Sequence, residues 1–249
     1  MKVAVIADIH GNLPALESAL ADIDRRGADK IICLGDIVGK GPSSKETIAL
    51  CRQRCEIVLM GNWEYALYDA YLRQKQGQAV DGFRTLWLIN DIGAENMEYL
   101  GSLPHSAELR LSGRLISLFH AHPRNFNRYF ADSPLEQRLE LFGRGEPGMK
   151  EPADVAVYAD IHDAYLQMTE IGKCLINAGS VGNPLDMSQA SYVILEGDET
   201  GGADSAFDAL FVRLPYDIER AVKIAREADA PDLEGYINEL RTAQYFRRS

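Results

Sequence analysis

The sequence predicts an α/β fold built on short, buried strands. Its first 60 residues contain three strand-like apolar runs, residues 3–7, 31–34 and 57–60, with helix-like segments between them. This order is typical of a βαβαβ unit with a parallel sheet. A hairpin pattern later in the chain adds antiparallel strands, so we expect mixed topology.

Local patterns predict the remaining elements. Residues 64–103 carry apolar side chains near helical spacing, and Ser133 followed by Pro134 is typical of a helix start. Further strands are expected at 107–111 and 115–119 (the hairpin), near 155, near 166, and at 174–177, 191–196 and 210–214. Helices are expected at 14–25, 44–52, within 64–103, from 134 to about 142, and at 217–228 and 233–243.

Composition points to one globular domain spanning residues 1–249. The hydrophobic content of 46% is even along the chain and no shift marks a linker. No basic segment followed by an apolar run stands at the N-terminus, and no apolar run has the length of a membrane span. We therefore expect a soluble, cytoplasmic protein without a membrane partner; the sequence does not indicate the oligomeric state.

The charge balance limits the class of ligand. Thirty-seven acidic residues against 26 basic ones give a net charge of -11, so long nucleic acid is disfavoured as a partner. A small phosphate compound can still bind where metal ions supply local positive charge.

Potential metal ligands follow five of the apolar runs directly. A carboxylate or imidazole at the end of a buried strand lies at the rim of a sheet, where a rigid scaffold holds functional loops. The side chains of Asp8 and His10 point the same way if the strand continues, and Asp36 ends the neighbouring strand. The candidate ligands are Asp8, His10, Asp36, Asn62, His120, Asp160 and His162. Such a set is sufficient for two adjacent cations.

These motifs, in this order, resemble those of the calcineurin-like metallophosphoesterases, particularly the small bacterial phosphoesterases. The matching segments are Asp8-Ile9-His10-Gly11-Asn12, residues 35–42, Gly61-Asn62, His120, His162 and residues 177–184. The resemblance covers residues 1 to about 217. It implies a four-layer α/β/β/α sandwich, with two mixed sheets flanked by helices.

The resemblance also implies how two divalent ions are held. The first would bind Asp8, His10, Asp36 and His162; the second would bind Asp36, Asn62, His120 and residue 160. Asp36 would bridge the ions, and a hydroxide between them would attack the phosphorus atom. Mixed nitrogen and oxygen ligands suit Mn, Fe or Zn, among which the sequence does not choose.

The chain departs from the family pattern at Trp63. Family members usually carry a histidine there, which stabilises the transition state or protonates the leaving group. Indole offers one N–H donor and is no general acid. Trp63 could instead stack on a nucleobase or pack beneath the following helix. His122 could supply the acid, or could replace His120 as the ligand.

A second departure is Asp160, where the family usually has histidine. An aspartate would reduce the formal charge of the site from about +2 to about +1, which weakens phosphate binding and strengthens binding of the second ion. The alternative is that Asp160 points away and the second site is damaged. Two further residues are candidates for substrate contact: Lys40, which could instead be solvated, and Asn12, which could instead cap a helix.

These observations predict an enzyme: a dinuclear metal-dependent hydrolase of phosphoester or phosphoanhydride bonds, most simply a phosphodiesterase acting on a small nucleotide-like substrate. Substrates with good leaving groups best tolerate the loss of a general acid. Two alternatives remain open at this point, a phosphomonoesterase and a catalytically weakened metal- or nucleotide-binding protein with the same fold.

Overall fold

The computed structural model describes residues 1–143 and 152–246. Within these residues, ten strands form two five-stranded sheets. The strands are β1 Lys2–Ile6, β2 Lys30–Cys33, β3 Ile57–Val58, β4 Ser106–Leu111, β5 Arg114–Phe119, β6 Val155–Tyr158, β7 Tyr165–Met168, β8 Cys174–Asn177, β9 Ala190–Gly197 and β10 Phe207–Leu214. The helices are α1 Leu13–Arg26, α2 Ser44–Arg54, α3 Asn62–Lys75, α4 Phe83–Ile92, α5 Ala94–Gly101, α6 Leu135–Glu140, α7 Ile218–Glu227 and α8 Leu233–Thr242.

The first sheet has the strand order β10-β9-β1-β2-β3. β1 pairs parallel to β2, and β2 parallel to β3, which confirms the βαβαβ unit predicted from the sequence. β9 runs antiparallel to both β1 and β10. The sheet is therefore mixed, with its parallel strands at one side.

The second sheet has the order β4-β5-β6-β8-β7. Its central strands β5, β6 and β8 are parallel, whereas β4 and β7 are antiparallel to their neighbours. Ser112 and Gly113 join β4 to β5 with φ of 51° and 69°. Positive φ at both loop residues matches the twist of a hairpin, and the predicted hairpin is confirmed.

The central strands are buried on both faces, and their side chains alternate between two hydrophobic cores. Val3 and Val5 of β1 belong to the core between the sheets, whereas Ala4 and Ile6 face the helices around α1. Val155 and Val157 of β6 also belong to the core between the sheets. Ala156 and Tyr158 lie on the opposite face of the strand and pack with Phe142, which follows α6. This alternation produces the four-layer α/β/β/α sandwich, so the predicted fold class is confirmed.

Several element boundaries differ from those expected; β10, for example, begins at Phe207 rather than at residue 210. The helical region predicted from residue 64 begins earlier, at Asn62, and consists of three helices. β3 ends at Val58 rather than residue 60, although Leu59 N still donates to Cys33 O at 2.8 Å. Helix α6 begins at Leu135, because the Ser133 hydroxyl accepts a hydrogen bond from Phe130 N and does not cap the helix.

Parallel strands of both sheets direct their carboxyl ends to one edge of the sandwich. The loops after β1, β2, β3, β5 and β6 carry the predicted metal ligands, and they meet there. In the part of the chain described, none of the helices combines the length and apolar content that a membrane crossing requires.

Candidate metal centre

Most of the predicted ligands have an unusual backbone conformation. Asp8, His10, Asp36, Asp160 and His162 all have positive φ, between 49° and 69°. This left-handed region is sparsely occupied by residues other than glycine, although Asp, Asn and His are enriched in it. Such strain clusters at functional sites, where the surrounding structure enforces it.

Hydrogen bonds between neighbouring loops enforce that conformation. His10 N donates to Asp36 O at 2.9 Å, and Asp8 N donates to Gly35 O at 3.1 Å. On the other side, the Ser180 hydroxyl and Gly182 N donate to Asp8 O at 2.7 and 3.0 Å. The ligand loops therefore support one another through their backbones.

The first ligand group consists of Asp8, His10 and His162, all buried, with one ligand atom each within 4.8 Å of the others. His10 Nδ1 donates to Val38 O at 3.1 Å, and His162 Nδ1 donates to Asn183 O. Each imidazole thus presents an unprotonated Nε2 to the centre, as metal-bound histidines do.

The second ligand group consists of Asp8, Asp36 and His120. Asp36 faces both groups, since its Oδ2 is 3.6 Å from His10 Nε2 and its Oδ1 is 3.5 Å from His120 Nε2. Asp8 is the residue common to the two groups, and its Oδ1 is 3.5 Å from His162 Nε2 and 3.9 Å from His120 Nε2. A bridging role for Asp36 stays a prediction that this orientation supports.

Asn62 lies beside the second group. One end of its amide lies 2.9 Å from His120 Nε2 and 3.1 and 3.3 Å from the two oxygens of Asp36. An amide nitrogen at that point would donate to these acceptors, whereas an amide oxygen would need a cation between it and them. The position is the one that a ligand to the second ion would occupy.

Two features of the pocket fit a cation. The Nε2 atoms of His10 and His162 are 3.2 Å apart, although both carry a lone pair. The buried Asp8 Oδ1 accepts no hydrogen bond from the residues described. Two acceptors facing each other repel unless a positive charge lies between them, and a buried carboxylate oxygen without a partner is costly. The residues present therefore fit divalent metal ions.

Burial also shifts the protonation of the ligands. Desolvation lowers the pKa of His120 to about 4 and that of His162 to about 3, and lowers the pKa of His10 as well. The pKa values of Asp8 and Asp36 are raised, first by burial and then by the neighbouring carboxylates. The imidazoles are neutral near pH 7 and ready to bind metal, and a cation would stabilise the two carboxylates in their charged form.

Glu64 organises the site from behind. Its fully buried carboxylate accepts hydrogen bonds from the backbone N–H groups of Asp36, Ile37, Val38 and Gly61, at 2.8 to 3.2 Å. Glu64 lies in the first turn of α3. One side chain thus ties the end of β2 to the end of β3.

Asp160 lies at the rim without joining either ligand group. Its backbone N–H donates to Asp8 Oδ2 at 3.2 Å, and its carboxylate pairs with Arg128, Nε to Oδ2 at 2.8 Å and Nη2 to Oδ1 at 3.1 Å. Oδ1 is 3.9 Å from His120 Nε2, so the side chain borders the second group. Its ligand role stays a prediction. The positive charge of Arg128 offsets the negative charge of Asp160. No motif in the sequence indicates that Arg128 belongs to the site.

Trp63 packs against the backbone of the metal loops. A Cβ atom added to Gly39 would lie 2.8 Å from the indole ring, so the loop and the ring are matched in shape. The indole stands edge-on to His10, with ring centroids 5.5 Å apart, and Trp63 N donates to Asp36 Oδ1 at 2.9 Å. The ring is partly buried in the core around α3 and also borders a cavity, so both roles expected from the sequence have structural support.

His122 is buried and belongs to neither of the two groups found among the described residues. Its Nδ1 accepts a hydrogen bond from Arg124 N at 3.2 Å, and its ring stacks on Tyr129 with centroids 5.7 Å apart. Of the two histidines after β5, the structure brings His120 to the ligand groups. A catalytic role for His122 stays a prediction.

Asn12 and Lys40 have protein partners. Asn12 Oδ1 caps α1 through Ala15 N at 3.2 Å, and its Nδ2 donates to Gly182 O at 2.7 Å. Lys40 Nζ donates to Glu239 Oε2 at 2.7 Å and to Asn183 Oδ1 at 2.6 Å. Asn12 therefore has the capping role that the sequence also allowed, and the Lys40 ammonium uses two of its three donors for these protein partners.

The chain matches a family model and two full-length relatives. The model of the calcineurin-like phosphoesterase superfamily domain matches residues 1–200. An uncharacterized protein of Methanocaldococcus jannaschii is 32% identical, covering 88% of this chain and 89% of its own length. A metallophosphoesterase structure from Sphaerobacter thermophilus has a TM-score of 0.74 at 27% identity, covering 98% of this chain and 100% of that one.

One further match covers less than half of each protein. The symmetrical bis(5'-nucleosyl)-tetraphosphatase of Colwellia psychrerythraea is 28% identical over 112 residues, which are 44% of this chain and 39% of that protein.

We expect Glu64→Gln to weaken metal binding. Glutamine has one acceptor oxygen for the four N–H groups, and its amide hydrogens would oppose them, so the loop that carries Asp36 would lose its anchor. The loss of Mn²⁺ affinity should be roughly 10-fold to 100-fold, as for other groups that orient metal ligands. Calorimetric titration of chelator-treated protein measures it. Glu95→Gln, at an exposed position, is the control, and equal affinities in the two variants would contradict the assignment.

Arg128→Gln should change two affinities in opposite directions. Without the guanidinium, Asp160 carries its full negative charge, so the second Mn²⁺ ion should bind more tightly. The loaded protein should bind inorganic phosphate roughly 10-fold more weakly, the scale of one charge-assisted hydrogen bond. Calorimetry with each ligand measures both, and Arg73→Gln on the exposed face of α3 is the control. Unchanged phosphate affinity would show that Arg128 does not balance the charge of Asp160.

Proposed function

The chain belongs to the calcineurin-like phosphoesterase superfamily, and we propose that it is a dinuclear metal-dependent hydrolase of phosphoester or phosphoanhydride bonds. The observation that carries this proposal is the pair of buried ligand groups, Asp8-His10-His162 and Asp8-Asp36-His120, which share one pocket. Metal ions held there would lower the pKa of a water molecule toward neutrality and neutralise charge on the phosphoryl oxygens.

The protein's own residues position those ions and the substrate. Asp36 presents one oxygen to each group, which suits a bridging ligand. The Glu64 carboxylate holds the loop that carries Asp36 by accepting hydrogen bonds from the loop's backbone, and Asn62 lies beside His120 of the second group. Arg128, more than half exposed beside Asp160, supplies positive charge on the solvent side, where a phosphate would approach.

Leaving-group chemistry favours activated substrates. The position next to Asn62 holds Trp63, whose indole cannot donate a proton to a poor leaving group. Aryl diesters and phosphoanhydrides leave without such help. The tetraphosphatase named above is consistent with a nucleotide-like substrate, so a small phosphodiester or nucleotide polyphosphate is our proposed substrate class.

A second candidate is a metal- or nucleotide-binding protein on the same fold with little catalysis. The observation in its favour is the Arg128–Asp160 ion pair, because it engages both carboxylate oxygens of the residue expected to complete the second site. A phosphomonoesterase with the same fold is the third candidate. The three candidates differ in turnover and substrate preference.

Asp36→Asn should reduce turnover by more than about 100-fold, because the amide lacks the charge and the second oxygen ligand that two ions require. Protein treated with chelator and reloaded with Mn²⁺ is assayed on bis(p-nitrophenyl) phosphate and p-nitrophenyl phosphate. The control is Asp24→Asn, an exposed aspartate paired with Arg54. Preference for the diester supports the phosphodiesterase, and preference for the monoester supports the phosphomonoesterase. Two bound ions without turnover on either compound, or on a nucleotide polyphosphate, would support the binding protein.

Trp63→His should raise turnover most on substrates with poor leaving groups. The imidazole would stand beside the ligand groups and could protonate an alkoxide, an effect worth on the order of 100-fold when fully developed. Alkyl and aryl phosphodiesters are compared, with Trp87→Phe on α4 as the control for losing an indole. A gain of the same size on every substrate would contradict the missing-acid explanation.

A further inference from the structure

A cavity of about 550 Å³ lies beside the candidate metal centre. Its size is typical of small-molecule sites. It is lined by Lys40, Trp63, Arg84, Asp232, Gly235, Tyr236, Glu239, Tyr245 and Phe246. Most of the lining comes from α8 and the residues next to it, which lie beyond the residues 1–200 matched by the family model.

Trp63 connects the cavity to the metal centre. Its indole borders the cavity and stands edge-on to His10, and its backbone N–H donates to Asp36, so the residue lies against the ligands. A substrate with its phosphate at the metals would therefore have the indole directly beside its next group.

The walls are aromatic and partly open. Tyr245 and Phe246 are 63% and 41% exposed, so their ring faces are accessible at the mouth. Lys40 Nζ lies over the Tyr245 ring at 5.3 Å, and the Arg84 guanidinium lies over the Trp63 ring at 5.8 Å. Flat rings with adjacent cations are the surfaces on which nucleobases stack.

The cations in the walls are already balanced by acids. Lys40 pairs with Glu239, and Arg84 pairs with Asp232. The cavity therefore offers little net positive charge to a phosphate. This electrostatic balance favours a neutral planar group in the cavity and leaves the phosphate to the metal centre.

Glu239 fixes the wall in place. Its Oε2 accepts hydrogen bonds from Lys40 and, at 3.1 Å, from Asn183 Nδ2, and its Oε1 accepts one from Phe246 N at 3.2 Å. Asn183 O in turn accepts the bond from His162 Nδ1. The aromatic residues after α8 are thus tied to the same loops that hold the metal ligands.

One polar group in the cavity wall lacks a partner. The Tyr236 hydroxyl is buried, in a side chain 4% exposed, and makes no hydrogen bond with the residues described. The hydroxyl oxygen has almost no accessible surface, so a base with ring nitrogens or an exocyclic amine could bond it only after the adjacent wall moves.

We infer that this cavity is a nucleobase subsite, in which Trp63, Tyr245 and Phe246 stack against the base and Tyr236 bonds its edge. The inference rests on the proposed function, because the phosphate of the same ligand is assigned to the metal centre. The subsite would make a nucleotide, rather than a simple aryl or alkyl phosphate, the preferred substrate.

The test compares two ligands that differ only by a nucleoside. Adenosine 5'-methylenediphosphonate carries the base, methylenediphosphonate lacks it, and the bridging carbon of both blocks hydrolysis between the phosphorus atoms. Calorimetry with Mn²⁺-loaded protein should show the adenosine compound binding at least about 10-fold more tightly. Tyr245→Ala and Phe246→Ala should each reduce this preference about fivefold or more, and Tyr236→Phe roughly threefold. Methylenediphosphonate affinity should stay unchanged in all three.

Met168→Ala, which removes an exposed apolar side chain from β7 in the other sheet, is the control and should leave both affinities unchanged. Equal affinity for the two ligands, or a preference that persists in all three variants, would overturn the subsite. Its failure is distinct from failure of the proposed function. Nucleoside preference without hydrolysis of any phosphate compound would retain the subsite and reject the enzyme, whereas hydrolysis without the preference would do the reverse.

Discussion

Four carboxylates lie together at one buried edge of the sandwich, and the stability of the fold depends on how their negative charges are compensated. Asp8, Asp36, Glu64 and Asp160 are each 5% exposed or less, and their pockets adjoin. Isolated buried charges of one sign are strongly destabilising. Glu64 is offset by backbone N–H groups and Asp160 by Arg128, whereas Asp8 and Asp36 have one backbone N–H each. The remaining charge is the part that metal ions would neutralise.

The two-sheet architecture creates this edge. Because parallel strands of both sheets end on the same side, loops that are distant in sequence converge, and a single oxygen of Asp8 approaches the imidazoles of His10, His120 and His162. The backbone bonds among those loops let the ligands hold a strained conformation before any ion binds. Preorganisation of this kind keeps ligand geometry from depending on flexible side chains alone.

Much of this arrangement was predictable from local sequence. The strand runs are apolar on both faces, so the succession of strands along the chain and the ligand-bearing loops after them could be predicted directly, and the resemblance implied that two sheets pack together. The element ends were less predictable: Ser133 has the composition of a helix cap, yet its hydroxyl bonds Phe130 instead. Competing local hydrogen bonds of this kind leave no periodic signal.

The contacts between residues that are distant in the sequence were not predictable from it. Arg128 reaches Asp160 across 32 residues, and Glu239 reaches Lys40 across 199. Neither residue belongs to a motif, and each partner is chosen by tertiary packing. Lys40 and Asn12 illustrate the same point, because the sequence allowed a substrate contact for both and only the folded chain shows the internal partners that they bind.

The left-handed backbone at five of the candidate ligands also restricts which residues can replace them, by design or in evolution. Asp, Asn and His tolerate that conformation, whereas β-branched and bulky residues do not. Threonine and other β-branched side chains are thus excluded from these five positions unless the loops themselves are rebuilt. Any replacement ligand there has to satisfy the backbone before its donor atom matters, so the dihedral angles of these loops limit the substitutions that the site accepts.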